Sequence, residues 1–521
     1  MLTTFHNHFM SATIHKQKMI KTITTVLILL CFVQPYTQAQ QTPKEASSLN
    51  YRIIGFSFPA TAKAPGYKVE IAQGNYNDEA DFKKNIAVTT TCTTNKIIIE
   101  VPAFGAAYTW RVTAQNNNRN STPLYHFNTA KSNNADTAIY RFTVLQNALK
   151  FKDAFIFNDG NKVLYNMRGE PVWFLPNIKG VVDETSIIRD LKISPQNTIT
   201  FLNYNMVYEI NYDGVILWRG PNNGKASGDS VESYHHEITR LANGHYMTLG
   251  HEALGWEWKY TGNGDSSAVL TGKKPVVNPN GGLKKMALMG TVIEYDESGN
   301  VAWSWKSSSY YKGDKLQQLQ SPLGMKETHE NAFFFDEKRK QLYVSFKNTN
   351  KVLKIKYPEG KVMDVYDGLE LTTKVGSSNL ALFSEQHACK LAANGDLYLY
   401  NNNMANSFSA PQVLVLQQPT APNGQLKTVW KYEYPTGSNR LNRERLTSGG
   451  NAIELPDRSM FIASCVPYSN VFIVTRDKKI IWDAFLERFD VLTKTWKHFP
   501  QYRASIITSR KKMEDLVWAA Q

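Results

Sequence analysis

Three histidines fall in one register of a repeating pattern: His236, His329 and His387 each stand seven residues before a turn residue, Asn243, Asp336 and Asn394 respectively. Near pH 7 an imidazole serves as nucleophile, proton carrier, hydrogen-bond donor or metal ligand. Three at equivalent positions therefore make a candidate site. Asn331 follows His329 by two, and on a strand the two share a face. Lys347 ends the next alternating run, Leu342-Tyr-Val-Ser-Phe-Lys-Asn348, within reach of the same space. The set is rich in donors, which suits a bound oxyanion. No carboxylate is read in that register, which argues against a paired-carboxylate glycosidase. The run from Gly264 to Gly272-Lys273-Lys274 has the wrong spacing for a phosphate-cradling loop and lacks its hydroxyl residue, so a nucleotide donor is disfavoured. His235 adjoins His236, and alternation leaves open which of the two faces inward.

A repeat must position these residues. Asn161 to Trp173 resembles Met206 to Trp218 and Gly290 to Trp303, and further copies run from Lys351 to Val365, Val413 to Trp430 and Val471 to Trp482, the fourth without the tryptophan. Each copy reads as strand, turn, strand, and five follow another strand pair. Four strands in each of six units predict a six-bladed β-propeller over residues 137–510, its leading strands lining a central channel. The first unit lacks its leading strand, which the run Tyr502-Arg-Ala-Ser-Ile-Ile-Thr508 is predicted to supply, closing the ring. Upstream, the alternating runs Tyr51 to Phe58, Tyr67 to Ile71, Lys96 to Val101 and Ala107 to Ala114 predict a small β-sandwich of fibronectin or immunoglobulin type over residues 48–130. Tyr108, Trp110 and Val112 mark its core face, and Lys131 to Asp136 reads as the link. The fold class is all-β with low helix content. The insertion from Glu252 to Met289 carries Trp256, Trp258 and Tyr260 and is expected over one mouth of the channel, where its rings could stack on phenolic ligands.

Composition agrees with globular folding: 42% hydrophobic and 20% charged residues leave too little charge for a disordered chain. The net charge of +14 suits an anionic partner or simple solubility. From Met19, read as the true start, Lys21, the apolar run Val26 to Val33 and a small-residue exit at Ala39 have the layout of a secretory signal over residues 1–39. That run is shorter than the roughly 20 residues that span a bilayer, so export without a membrane span is expected. Beyond it, Cys92, Cys389 and Cys465 are too few for a disulfide framework; a Cys389 to Cys465 bridge stays open beside buried free thiols.

The motifs Tyr234-His-His-Glu-Ile with Leu241-Ala-Asn-Gly244, Thr328-His-Glu-Asn331 with Ser345-Phe-Lys347, and Ser384-Glu-Gln-His387 with Leu391-Ala-Ala-Asn-Gly395 resemble those of the bacterial arylsulfate sulfotransferase family. The resemblance implies an exported, periplasmic enzyme with a β-sandwich before a six-bladed propeller. It would move a sulfuryl group from a phenolic sulfate ester to a phenol with no nucleotide donor and no cofactor. By motif, His387 matches the histidine that becomes sulfated, and His236, His329 and Asn331 match sulfate-contacting positions. Of these, either His236 or His329, with His329 preferred, is expected from its chemistry to carry the proton as acid or base. Lys347 stands where the family pattern has arginine, keeping the charge but not the planar two-pronged geometry. Thr447 or Ser448 corresponds to a further hydroxyl contact. The implied partners are a small aryl sulfate donor and a phenolic acceptor, with no nucleic acid; a homodimer is left open. Two rivals follow from the residues: a metal-dependent hydrolase using the three histidines, and a non-catalytic ligand-binding propeller.

Overall fold

The computed structural model describes residues 41–115, 120–147, 149–262, 265–272, 285–319, 325–369, 381–406, 410–421, 424–434, 449–464 and 470–520. The signal-like segment 1–39, Cys465, Thr447 and Ser448 lie outside them.

Among these residues the chain is nearly all β. In the N-terminal region a five-stranded sheet is ordered Ser47–Leu49, Tyr125–Thr129, Ala107–Ala114, Tyr67–Gln73, Ile86–Cys92, and a separate pair joins Ile53–Ser57 to Lys96–Glu100. Tyr108, Trp110 and Val112 are buried between them with Ile54, Phe56 and Phe127. The sequence reading missed Ile86–Cys92, which is only half-buried: Val88 and Cys92 pack against the core, and the intervening threonines weaken the apolar pattern.

The six repeats become six antiparallel sheets. Their first strands are β1 (Ile188–Ile193), β2 (Tyr234–Arg240), β3 (Glu330–Asp336), β4 (His387–Leu391), β5 (Asn451–Glu454) and β6 (Ala504–Ile507). β6 pairs with Phe155–Asn158, the first strand of the first repeat, so the C-terminal segment supplies that sheet's missing strand. The first strands touch in succession, β6 to β1, β1 to β2, and onward to β5, and Met460–Ala463 beside β5 returns to β6. Tyr140–Gln146, just past the link, adds a strand to the sixth sheet by pairing with Ile480–Asp490.

The repeated tryptophans pin five of the sheets to the next, the fourth repeat having none. Trp173 donates its indole N–H to Tyr212 O at 2.8 Å, Trp303 to Pro358 O at 2.7 Å, Trp430 to Arg476 O at 2.9 Å, and Trp482 to Met167 O at 3.1 Å. Trp218 instead stacks on Tyr246, ring centroids 3.8 Å apart. A large apolar ring with one polar handle suits such a seam, because its single N–H can be satisfied by a neighbouring turn. The contact from Trp482 to Met167 joins the last sheet to the first.

Beyond residue 510 the chain ends in a helix, Arg510–Ala519, capped by Ser509. Its Met513, Leu516 and Val517 share one core with Ile53 and Phe58 of the N-terminal sheets and with Phe157 and Phe201 of the first two repeats. Cys92 and Cys389 are free thiols, and burial pushes the Cys389 thiol well above its ordinary pKa.

Candidate functional site

The histidines stand where their strands break register. Bulges fall between His235 and Ile238 on β2, between Glu330 and Ala332 on β3, between His387 and Lys390 on β4, and between Arg189 and Lys192 on β1. A bulge bends the strand and re-aims a side chain. His236 (φ 62°) and His329 (φ 52°) also adopt the left-handed region, where non-glycine residues are uncommon and functional sites concentrate. The rings consequently meet: His236 lies 5.3 Å from His329 and 6.5 Å from His387, centroid to centroid. Tyr502, leading into β6, stands 6.0 Å from His236 and 6.3 Å from His387. A cavity of about 170 Å³ opens beside His236 and His329, lined also by His235, His251, Glu327 and Glu330; His387, Asn331 and Lys347 are not among its lining residues.

Hydrogen bonds define the state of His387. Its Nδ1 lies 3.0 Å from the carbonyl oxygen of Glu385, which only accepts, so Nδ1 carries the proton and Nε2 the lone pair. Asn402 Nδ2 donates to the same carbonyl at 2.8 Å and lies 2.9 Å from Nδ1, a contact between two donors in this tautomer that gives the ring no further support. Burial and then the Arg503 charge hold the His387 pKa well below the ordinary histidine value. Burial, followed by His235, His329, His387 and Arg503, does the same to His236. Both are neutral at pH 7.

His329 Nδ1 contacts Glu327 Oε1 at 3.0 Å. Lys347 is tied in twice: its backbone N–H donates to His329 O at 2.9 Å, and Nζ lies 3.3 Å from Glu385 Oε2. Its charge also acts on His387. Asn331 departs from the expected placement. The bulge breaks the two-residue alternation, and the buried amide donates to Gln386 O at 2.8 Å, bracing the residue before His387. His235 and His236 both border the cavity.

The sequence reading passed over the charges beneath the rings. Arg503, buried at the head of β6, donates to Asp190 Oδ1 at 3.0 Å and Asn331 O at 2.8 Å, and lies 3.4 Å from Glu237 Oε2. Asp159 accepts the backbone N–H groups of Tyr502 and Arg503 at 2.9 and 2.8 Å, fixing that segment; burial raises its pKa to about 7. The expectation of no carboxylate in the histidine register is corrected: Asp190 lies seven residues before Asn197 and shares the left-handed backbone, φ 55°. Arg503 neutralises Asp190, and the two carboxylates that line the cavity, Glu330 and Glu327, are each engaged by a histidine, His235 at 2.8 Å and His329 at 3.0 Å. The count back from the turn reveals Asp190. Arg503 has no such signal, since its strand belongs to a sheet whose turn lies 340 residues away in sequence.

The insertion forms a hairpin, Tyr246–Gly262 against Asp265–Leu270 and Met286–Tyr295. Trp258 and Tyr260 are 48% and 69% exposed, and neither they nor Trp256 line the histidine cavity. Among the described residues no group of three His, Cys, Asp or Glu has metal-binding geometry, so nothing favours the metal-dependent reading, and no helix is long and apolar enough to cross a membrane.

A family model, Arylsulfotransferase (ASST), matches residues 111–421, more than half of the chain and all three histidines. No functionally curated protein matches. Among solved structures, a protein of unknown function from Bacteroides caccae is 11% identical, covers 68% of this chain and 98% of its own, and has a TM-score of 0.39. An auxiliary nutrient binding protein from Bacteroides thetaiotaomicron is 8% identical, covers 91% and 97%, and has a TM-score of 0.31. Likenesses this remote carry no functional argument.

Proposed function

The chain belongs to the arylsulfotransferase family, and from that premise we propose that it transfers a sulfuryl group from a phenolic sulfate ester to a phenol through a sulfohistidine at His387. The six sheets are read as the blades of a propeller, the N-terminal sheets as a sandwich beside it, and the protein as exported to the periplasm. The observation that carries the mechanism is the meeting of three imidazoles with His387 held as a neutral Nε2 nucleophile.

In the first half-reaction the Nε2 lone pair of His387 attacks sulfur. An N–S bond forms, the S–O bond to the aryl group breaks, and the departing phenolate takes a proton from His329, which Glu327 orients. In the second, His329 recovers that proton from the acceptor phenol, whose oxygen attacks sulfur as the N–S bond breaks. Splitting the transfer in this way gives ping-pong kinetics. Sulfuryl transfer shares with phosphoryl transfer a loose transition state with charge on the peripheral oxygens, so positioning and electrostatics do most of the work. His236 and Lys347 supply donors, Arg503 supplies field from below, and Tyr502 offers a ring for an aryl group. Asn331 is assigned a bracing role behind His387. Thr447 and Ser448 keep their motif-based assignment as hydroxyl contacts.

The test is a chromogenic aryl sulfate with and without added phenol, for wild type and His387→Ala. Expected are acceptor-stimulated phenol release, a sulfated peptide containing His387, and loss of both in the variant. Release indifferent to the acceptor would indicate a sulfatase, and no turnover on any aryl sulfate a non-catalytic binding protein.

A further inference from the structure

A buried chain of contacts runs behind His236. Glu330, 2% exposed, places Oε1 2.8 Å from His235 Nε2, and His235 Nδ1 lies 2.7 Å from His236 Nδ1. Glu330 is itself fixed: Thr328 Oγ1 donates to its Oε2 at 3.2 Å and accepts the Gly290 N–H at 2.9 Å. The site is also shaped for the carboxylate, since a Cβ on Gly290 would lie 1.6 Å from Glu330 Oε2. None of these contacts is needed merely to hold His236, whose backbone is set by the bulge.

We propose that Glu330 and His235 form a proton-holding relay that makes His236 present Nε2–H to the sulfuryl oxygens; the inference deepens the sulfotransferase reading and rests on it. Two nitrogens in hydrogen-bond contact must share one proton, and a nitrogen facing a carboxylate must carry one. With Nε2–H of His235 on Glu330 and one proton between the Nδ1 atoms, a lone pair on His236 Nε2 would repel an anion. The pair therefore holds three protons on its four ring nitrogens, and Glu330 balances the extra charge. The suppressed basicity of His236 places the shared proton on His235, leaving His236 neutral with its hydrogen on Nε2. When the anion binds, the shared proton can shift toward His236, bringing positive charge nearer the oxygens without any net proton uptake. Glu330 and His235 are thus positioning residues, acting through His236. Other titratable groups facing this pair are His251, stacked 5.3 Å from His235, His329 with Glu327, His387, and Arg503; Asp229 acts on His251.

Two measurements on the full-length protein test the relay. In Glu330→Gln and His235→Gln, kcat/KM on a chromogenic aryl sulfate is followed against pH. Removing the carboxylate lowers the pair's affinity for its extra proton, so the alkaline fall in kcat/KM should begin at lower pH, by about one pH unit or more, with roughly tenfold loss near pH 8 that acid restores. A uniform loss with an unmoved profile would overturn the relay in favour of a structural role. Independently of turnover, nitrogen NMR of labelled histidine in the wild type should show a doubly protonated His235 beside a neutral His236 protonated at Nε2. Two neutral rings would refute the relay whatever the kinetics. The same pattern in a protein without sulfotransferase turnover would uphold the relay and defeat the functional reading.

Discussion

Replacing Arg503 with Met keeps most of the side-chain volume and removes the charge. Arg503, Asp190 and Glu237 are each no more than 5% exposed at the side chain, with Arg503 3.0 Å from one carboxylate and 3.4 Å from the other. Breaking a buried pair by deleting one partner costs about 3–5 kcal/mol, because the remaining charge is stranded. Lys192, 2.7 Å from Asp190 and 3.6 Å from Glu237, still offers partial compensation, so about 3 kcal/mol is expected. At roughly 1 kcal/mol/K of unfolding entropy for a chain of this size, the melting temperature should drop by about 3 °C near neutral pH. The sign with pH follows from Glu237. Burial pushes its pKa up, yet Arg503 and Lys192 outweigh burial and hold it below the ordinary value. A carboxylate with a depressed folded-state pKa contributes stability above its unfolded pKa and loses it as pH falls through the folded value. The deficit of Arg503→Met should therefore be full near pH 7 and shrink below about pH 4, as the carboxylates protonate. Melting followed by circular dichroism at the two pH values checks this. Equal deficits at both would mean that lost packing, not charge, was measured, and no deficit would mean that water reaches the network.

Two further substitutions probe the same region. Gly290→Ala forces a methyl group against Glu330, whose Cδ would lie 1.9 Å from it. It should destabilise by about 1–3 kcal/mol in thermal melts and reproduce the early alkaline fall of Glu330→Gln. Lys347→Arg should raise turnover of an aryl sulfate, since a planar fork suits an anion's oxygens better than a point charge; unchanged turnover would place position 347 outside the anion's reach, and a loss of more than about tenfold would show that the site needs the compact ammonium.

The register count found the three imidazoles because it measures distance from a turn, and turns are legible in sequence. It could not report the bulges. A strict two-residue alternation put Asn331 beside His329 and made His235 and His236 alternatives, whereas the extra residues in β2 and β3 let both histidines border the cavity and turn Asn331 toward Gln386. The same count applied to Asn197 would have found Asp190. Arg503 was hidden for a different reason: its partners Asp190, Glu237 and Asn331 come from three sheets, and a contact assembled at the closure of a ring leaves no local pattern. The insertion's aromatic residues were legible as a cluster and were expected at a channel mouth, but their distance from the histidine cavity depends on the hairpin's path. The tryptophan shared by five repeats was legible as a repeat, and its meaning as an intersheet pin emerges only with the neighbouring turn in place.

Two requirements of the proposed mechanism conflict. A site that binds an anion needs positive charge, and a histidine nucleophile needs to stay unprotonated. Charge on the imidazoles would meet the first need and defeat the second. In the proposed mechanism Lys347 serves the first need, while burial and then the Arg503 charge disfavour a proton on His387. The burial of Arg503 is tolerable only because Asp190 and Glu237 are buried with it. Those carboxylates must come from β1 and β2 while Arg503 comes from β6, so the charge balance exists only when the last strand has docked. Arg503 thus links the docking of the last strand to the lowered pKa of His387, to which burial contributes first, which is why a substitution at Arg503 should move both the melting temperature and, on the proposed mechanism, the acid limb of turnover.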